Sequence, residues 1–462
     1  MSIKTINPAT EEIIAEYQNI TEADLTSKVA KSRAAFSKWK SDSKNRAMFL
    51  HLLAENLRKN KESLAKVATQ EMGKPLKESL AEVEKCAWAM EFYGDNGEIF
   101  LNPEIINTDA RKSFVAFQPI GVIASIMPWN FPYWQALRFA APSLMAGNTI
   151  VLKPASVTMQ CGIEMEKLFL NTGFPEGVFQ TLVSNSSMAE KLIDSDINAV
   201  TFTGSNIVGA KVAQRATSQI KKCVLELGGS DPFIVCSDAD VEKASTGAVK
   251  GRFINCGQSC IASKRFFVVK NLAKEFIEKF VQKVEKLNVG DPMSDVTDIG
   301  PLVNADGLNR IEEMVKDAIS KGARLLTGGK RLRDKGYFYA PTVMDNVTQD
   351  MMIAHEEVFG PVAPVTIVED EDEAIRLANS SQYGLGASIW TQNLDKAEKL
   401  SRLIDSGMVA VNNVLVSDPR IPFGGVKQSG FGRELSKYGM LEFVNVKSVR
   451  YYDQLVQYHR VE

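Results

Sequence analysis

The sequence predicts an α/β protein made of two α/β units with a small β excursion, on three observations. At 462 residues the chain is longer than one hydrophobic core usually serves, so two substantial domains are expected. Between Gly121 and Gly229 short apolar strands alternate with helical segments, the pattern of a parallel sheet with helical crossovers. After Asp231 the same alternation resumes with no low-complexity linker, so the boundary near Gly228-Gly229 is a crossover and not a tether.

In chain order, 21–40 reads as a helix that Thr21 can cap, with Leu25, Val29 and Phe36 at roughly helical spacing. Residues 46–69 and 76–93 continue the helical pattern on either side of the breaker Gly73-Lys74-Pro75. The run 105–119 turns polar and alternates at Ser113-Phe114-Val115-Ala116-Phe117 as a strand does. Strands are then expected at 122–126, 149–152, 178–182, 199–202 and 224–227, with helices at 159–171, 188–195 and 208–218. Such a sheet binds dinucleotides at the carboxyl ends of its strands. In the second unit 273–287 is the clearest helix, with Phe276, Ile277, Phe280, Val281, Val284 and Leu287 on one face. Alternation continues through 365–368, 372–379, 387–390, 394–404 and 409–411, and the tail 444–452 is strand-like with no partner left in sequence.

Composition narrows the function classes. With 24% charged residues and a formal net charge of −2, no basic field suggests nucleic acid or an anionic membrane, so the expected partner is a small molecule. The start, Met1 to Pro8, lacks both the apolar run of a signal peptide and the arginine-rich pattern of a transit peptide, and a cytoplasmic location is expected. The apolar stretch 121–152 is broken by Pro128, Asn130, Pro132, Arg138 and Pro142, which argues against a membrane span. Six cysteines lie far apart except Cys256 and Cys260, with no metal-ligand spacing, so no metal is expected and reduced thiols are the default.

Several short motifs carry chemistry. Gly257-Gln258-Ser259-Cys260 presents a thiol after a glycine, and a thiolate adds readily to a carbonyl, giving a thiohemiacetal that is a good hydride donor. Pro128-Trp129-Asn130-Phe131-Pro132 sets an amide at a strand end, and Glu226-Leu227-Gly228-Gly229 sets a carboxylate at another. Phe202-Thr203-Gly204-Ser205 with Gly209, and Lys153-Pro154-Ala155-Ser156, stand at strand-to-helix turns, although the glycine spacing is not the common dinucleotide fingerprint. Glu356-Glu357-Val358-Phe359-Gly360-Pro361 and the run from Pro422 to Gly430 follow.

Taken in this order, these motifs resemble the aldehyde dehydrogenase superfamily over nearly the whole chain, and within it most resemble the succinate-semialdehyde dehydrogenases. The resemblance implies a Rossmann-type cofactor domain over 1–100 and 120–228, an α/β catalytic domain over 229–430, and a small β oligomerisation flap from 101–119 and 440–456. Family members pair that flap across a subunit interface, so a homodimer or homotetramer is expected, which would account for the unpaired tail.

The resemblance also assigns roles. Cys260 is the nucleophile, Asn130 with the Cys260 N–H forms an oxyanion hole, and Glu226 is the base that activates water against the thioester. That base separates free-acid formation from acyl transfer to coenzyme A, the competing enzymatic mechanism. Trp129, Lys153, Ser156, Gly204, Ser205, Gly209, Leu227, Glu357 and Phe359 are the implied cofactor-binding residues, with the pyrophosphate beside the helix that Gly204-Ser205 opens. In NAD-preferring relatives the position of Ser156 is often glutamate; serine here, with Lys153 able to meet a phosphate, implies NADP, with NAD possible.

Arg138 matches a carboxylate-binding arginine and Ser417 a substrate-contacting serine, which points to succinate semialdehyde. A second arginine expected in some of these enzymes six residues before the thiol is Ile254 here, and Arg252 is expected to point elsewhere. That departure keeps short aldehydes such as glyceraldehyde or lactaldehyde as alternatives. A catalytically silent binding protein is the alternative outside enzymes. Cys256 is a candidate partner of Cys260 in a reversible disulfide.

Overall fold

The computed structural model describes residues 2–453. An antiparallel hairpin, Ser2–Ile6 with Ile13–Gln18, precedes the first helix. That helix, Glu22–Trp39, opens with a capping box in which Thr21 and Asp24 satisfy each other's backbone N–H. The expected single helix over 46–69 is two, Ser43–Lys59 and Lys61–Met72. Asn60 between them leaves helical geometry (φ −100°, ψ 10°), and its amide donates to the Asn56 carbonyl at 2.8 Å. Leu76–Phe100 runs past the expected end at 93. Its Gly94 and Gly97 lie where a side chain would collide with His51 and Met145, so these glycines permit close helix packing instead of breaking the helix.

The first sheet has six strands in the order Gly430–Phe431, Lys222–Glu226, Ala199–Thr203, Val122–Ile126, Thr149–Lys153, Phe179–Thr181. All neighbours are parallel except Gly430–Phe431, where the chain returns from the second unit. The second sheet has seven: Arg324–Thr327, Thr342–Asp345, Val362–Val368, Ser263–Val269, Asp231–Val235, Gly386–Trp390, Met408–Val411, with only the first antiparallel. Both are covered on two faces, which is why their strands read as continuous apolar runs. Ile123 enters one core while Val122, Ala124 and Ile126 enter the other, and Phe233 and Val235 part from Ile234 in the same way. Each such fully buried side chain contributes about 1.5–3 kcal/mol.

The tail is not without a partner. Val444–Tyr451 pairs antiparallel with Lys112–Pro119 of the same chain over its whole length, and Glu104–Ile105 completes a three-stranded sheet with Val444–Tyr451 on its edge. The local sequence around the tail held no sign of this pairing, because the partner strand lies in the first third of the chain. Residues 454–456, expected in the flap, lie outside the described residues. Among the described residues no helix is long and apolar enough to cross a membrane, and no group of three or more His, Cys, Asp or Glu could hold a metal ion.

Register aligns the functional turns. Ile126 pairs with Lys153 and Phe202, and Thr203 with Glu226, so four parallel strands end together. The segments that follow them, 127–131, 154–156, 204–205 and 227–229, rise from one edge of the sheet.

Candidate active site

The thiol loop leaves helix Val241–Phe253 through a strained turn. Asn255 (φ 51°) and Cys256 (φ 56°) are left-handed, and Gly257 (φ 74°) follows. A side chain on Gly257 would strike the Gly360 carbonyl, so glycine is required there on both counts. Arg252, fully buried, donates to the carbonyls of Ser263, Gly257, Val358 and Gly360, and thus ties the loop to the segment carrying Phe359. As the sequence suggested, it points away from the thiol's cavity.

Lys264 fixes the backbone that carries the thiol. Its ammonium, fully buried, donates to the carbonyls of Ser259 (2.8 Å) and Cys260 (2.6 Å) and pairs with Glu357 at 3.0 Å. Burial pushes the Cys260 thiol up to about 11; Arg138 and Lys264 pull it down, and Glu357 and Asp231 push it up. Cys256 and Cys260 are both free thiols. They are divided between cores, Cys256 within that of the second unit and Cys260 against that of the first.

Asn130 lies at the end of strand Val122–Ile126, just before helix Pro132–Ala146, whose first position is proline. It is buried, and its Nδ2 donates to the Gln258 carbonyl at 3.1 Å, while its main-chain carbonyl accepts from Asn255 Nδ2 at 2.8 Å. The second N–H of that amide makes no hydrogen bond to a described residue, and Asn130 lines a cavity with Cys260. The Cys260 N–H makes no hydrogen bond to another described residue.

Three cavities meet this region. The smallest two hold about 240 Å³ each and both reach Cys260. In one, Trp129, Asn130, Leu227, Glu357 and Phe359 join the thiol, with the Phe359 ring edge-on to Trp129 at 5.7 Å between centroids. Glu357 accepts from the Gly229 N–H at 3.1 Å, and a side chain on Gly228 would strike the carboxylate. The third cavity, about 940 Å³, is lined by Lys153, Ser156, Gly204 and Ser205, among others. Gly204 and Ser205 belong to both this cavity and the smaller one, so the two are neighbours.

The large cavity fits a dinucleotide. Ser205 caps helix Asn206–Thr217 by accepting the Val208 N–H, and Gly204, Ser205 and Val208 bring the start of that helix to the cavity wall. Lys153 is buried at a strand end with no hydrogen-bond or ion-pair partner among the described residues, and burial pushes its ammonium down to about 8. A buried cation without a counter-charge beside a serine suits a phosphate. Gly209 does not line the cavity: a side chain there would strike Leu227, so its part is to seat the helix on the sheet.

On the other side of the thiol, the remaining cavity is lined by Phe131, Trp134, Arg138, Ile254, Ser417 and Phe423, with Lys85 on helix Leu76–Phe100. Arg138 is buried, donates to Glu434 and stacks over the Phe423 ring at 4.4 Å. Its Nη2 has no partner. Glu226 lies behind this wall and lines neither cavity at the thiol. Both its carboxylate oxygens are buried without a partner, and burial, then repulsion from Glu434, raises it well above the carboxylate range. Of the sequence-expected residues, Lys153 and Ser156 line the third cavity, Glu226 and Gly209 line none of the three, and the rest line a cavity that reaches Cys260. Lys264, Lys85 and the role of Arg252 were missed; only Lys264, a lysine inside an apolar strand, offered a signal.

The Aldehyde dehydrogenase family model matches residues 1–449. A Synechocystis sp. protein bearing the name probable succinate-semialdehyde dehydrogenase, NADP(+), is 46% identical over 451 residues, covering 97% of this chain and 99% of that protein. Succinate-semialdehyde dehydrogenase (NADP(+)) 1 of Mycobacterium tuberculosis (strain H37Rv) is 43% identical over 454 residues, with coverage of 97% and 99%. Among solved structures, succinic semialdehyde dehydrogenase from Streptococcus pyogenes, in complex with NADP+ as the cofactor, is similar at a TM-score of 0.95 and 34% identity, covering 98% of this chain and 100% of that one.

Proposed function

The chain belongs to the aldehyde dehydrogenase family and oxidises an aldehyde with a nicotinamide cofactor; from that premise we propose that the aldehyde is succinate semialdehyde, the product succinate and the preferred cofactor NADP. The observation that carries this reading is buried Arg138, whose Nη2 has no partner, among the residues lining the cavity that also reaches Cys260. A guanidinium donor with nothing to bind, in reach of the same small space as a nucleophile, suits an aldehyde with a carboxylate at its far end. Ser417 in the same wall adds a hydroxyl.

Cys260 as thiolate adds to the aldehyde carbon, and the oxygen that gains charge accepts from Asn130 Nδ2 and the Cys260 N–H. The nicotinamide, when bound, supplies the hydride acceptor, and Trp129, Leu227, Glu357 and Phe359 are the residues that would hold it beside the thiol. Cys260 is left as a thioester. Glu226, favoured as a neutral acid where it is buried, must turn toward Cys260 to take a proton from water and release the acid. Lys153 and Ser156 would hold the 2′-phosphate of NADP. Relatives named for NADP support that preference. Steady-state rates over a panel of aldehydes with both cofactors test the reading: succinate semialdehyde with NADP should give the highest kcat/KM, and a higher value for glyceraldehyde or lactaldehyde would overturn it.

The reading extends to assembly and location. Val444–Tyr451 forms one open edge, with Val446 and Tyr451 exposed, and Met408–Val411 forms another at the end of the seven-stranded sheet. Unpaired edges invite strand addition, in keeping with a homodimer or homotetramer; light scattering that gives a monomer at micromolar concentration would contradict it. Six free thiols suit the reducing cytoplasm.

A further inference from the structure

The cavity beside Cys260 holds more positive charge than Arg138 alone. Lys85 projects into it from helix Leu76–Phe100, its ammonium 4.5 Å from the centroid of the Trp134 ring and 2.7 Å from Ser417 Oγ. It makes no ion pair among the described residues. The nearest acid in sequence to Ser417, Asp418, is taken by Arg420. Two further acids line the cavity, and neither forms an ion pair with Lys85 among the described residues. Glu82 is paired with Lys74 and accepts the Tyr133 and Trp134 N–H groups. Glu78 accepts the Asn255 N–H and is pushed up by burial to about 7.

We propose that Lys85 is a second substrate-binding cation, gripping the far carboxylate together with Arg138 through a Lys85–Ser417 donor pair. This rests on the reading of the substrate as an aldehyde with a distal carboxylate. The hydroxyl of Ser417 accepts one ammonium proton and so keeps its own hydrogen to donate, while the ammonium keeps further N–H groups. Arg138 Nη2 and the indole N–H of Trp134 are buried donors without a partner, and with Lys85 and Ser417 they outnumber the one unpartnered buried acceptor among the lining residues, Gln135 Oε1, which leaves a surplus of donors. Such a surplus matches the lone pairs of a carboxylate and leaves a neutral aldehyde with polar groups it cannot satisfy. Burial and the nearby Arg138 push the Lys85 ammonium down to about 8, outweighing Cys86, Asp418 and Glu82, which pull it up, as expected of a cation held for an anion the cavity receives from solution.

The test compares wild type, Lys85→Met and Lys85→Arg on succinate semialdehyde and on butanal, with Lys250→Met as a control for the exposed lysine that also lines the cavity. Lys85→Met should lower the ratio of kcat/KM for succinate semialdehyde to that for butanal by about tenfold or more, chiefly through KM, the size expected of a lost charge-assisted hydrogen bond. Lys85→Arg should restore most of it. In parallel, succinate should protect Cys260 from iodoacetamide in wild type and at far higher concentration in Lys85→Met. If wild type itself does not prefer the anionic aldehyde, the substrate reading fails and this proposal with it. If wild type shows the preference but Lys85→Met retains it, loses both aldehydes equally, or leaves the loss to Lys250→Met, Lys85 alone is excluded.

Discussion

Lys264 Nζ donates to the carbonyl oxygen of Cys260 at 2.6 Å, so a buried cation holds the backbone of the proposed nucleophile. The same ammonium pairs with Glu357, which joins thiol loop and cofactor side in one network. Lys264→Met strands two carbonyls and removes the partner of the half-buried Glu357 carboxylate, and should cost about 1–3 kcal/mol in urea unfolding. It also removes a charge that lowers the Cys260 thiol. Since the thiolate is the reactive form, alkylation of wild type should rise about tenfold per pH unit as pH approaches about 11, and at any pH below that the variant should react more slowly. Equal alkylation rates at pH 8 would contradict this role.

Glu226→Gln separates the two half-reactions. The proposed first half needs only Cys260 and Asn130, so rapid mixing should show a burst of reduced cofactor followed by slow turnover; no burst with full steady-state rate would remove Glu226 from the mechanism. Stability supplies a second readout. A carboxyl raised in the folded state contributes its stability below its ordinary value of 4.5 and loses it as pH rises toward the folded value. Glutamine carries no such loss, so Tm of the variant should fall less than that of wild type between pH 5 and pH 8.

Ser156→Glu should move cofactor preference from NADP toward NAD. It sets a carboxylate in the cavity wall that also holds unpartnered Lys153, neutralising the cation and repelling a 2′-phosphate. The expected fall in kcat/KM for NADP is about tenfold or more, with NAD unaffected or improved. Comparable efficiency of wild type with both cofactors would defeat the preference before the variant is made.

What could be read from sequence follows from how local each signal was. Strands 122–126 and 199–203 were legible because both faces are buried and proline or glycine bounds them. The motifs around Asn130, Glu226 and Cys260 were legible for the same reason: each sits in a turn with its own composition. The partner of the tail was not, since the pairing of Val444 with Pro119 leaves no mark near either residue. Lys85 was invisible too. On a helix carrying two lysines and five glutamates it looks like part of a solvated face, and only the packing of Trp134 and Ser417 against it shows otherwise. Nor could sequence tell that the Glu226 carboxyl lies away from the thiol, because a side-chain rotation changes no residue.

The most direct test of the substrate assignment is Arg138→Leu, measured as the ratio of kcat/KM for succinate semialdehyde to that for butanal. Absolute rates are not the readout, because losing Arg138 also strands buried Glu434 and should slow both reactions. The ratio isolates recognition of the carboxylate. It should fall by about tenfold to a hundredfold, the range of a charge-assisted hydrogen bond; an unchanged ratio, with both aldehydes losing equally, would mean that Arg138 supports the fold and does not bind the substrate.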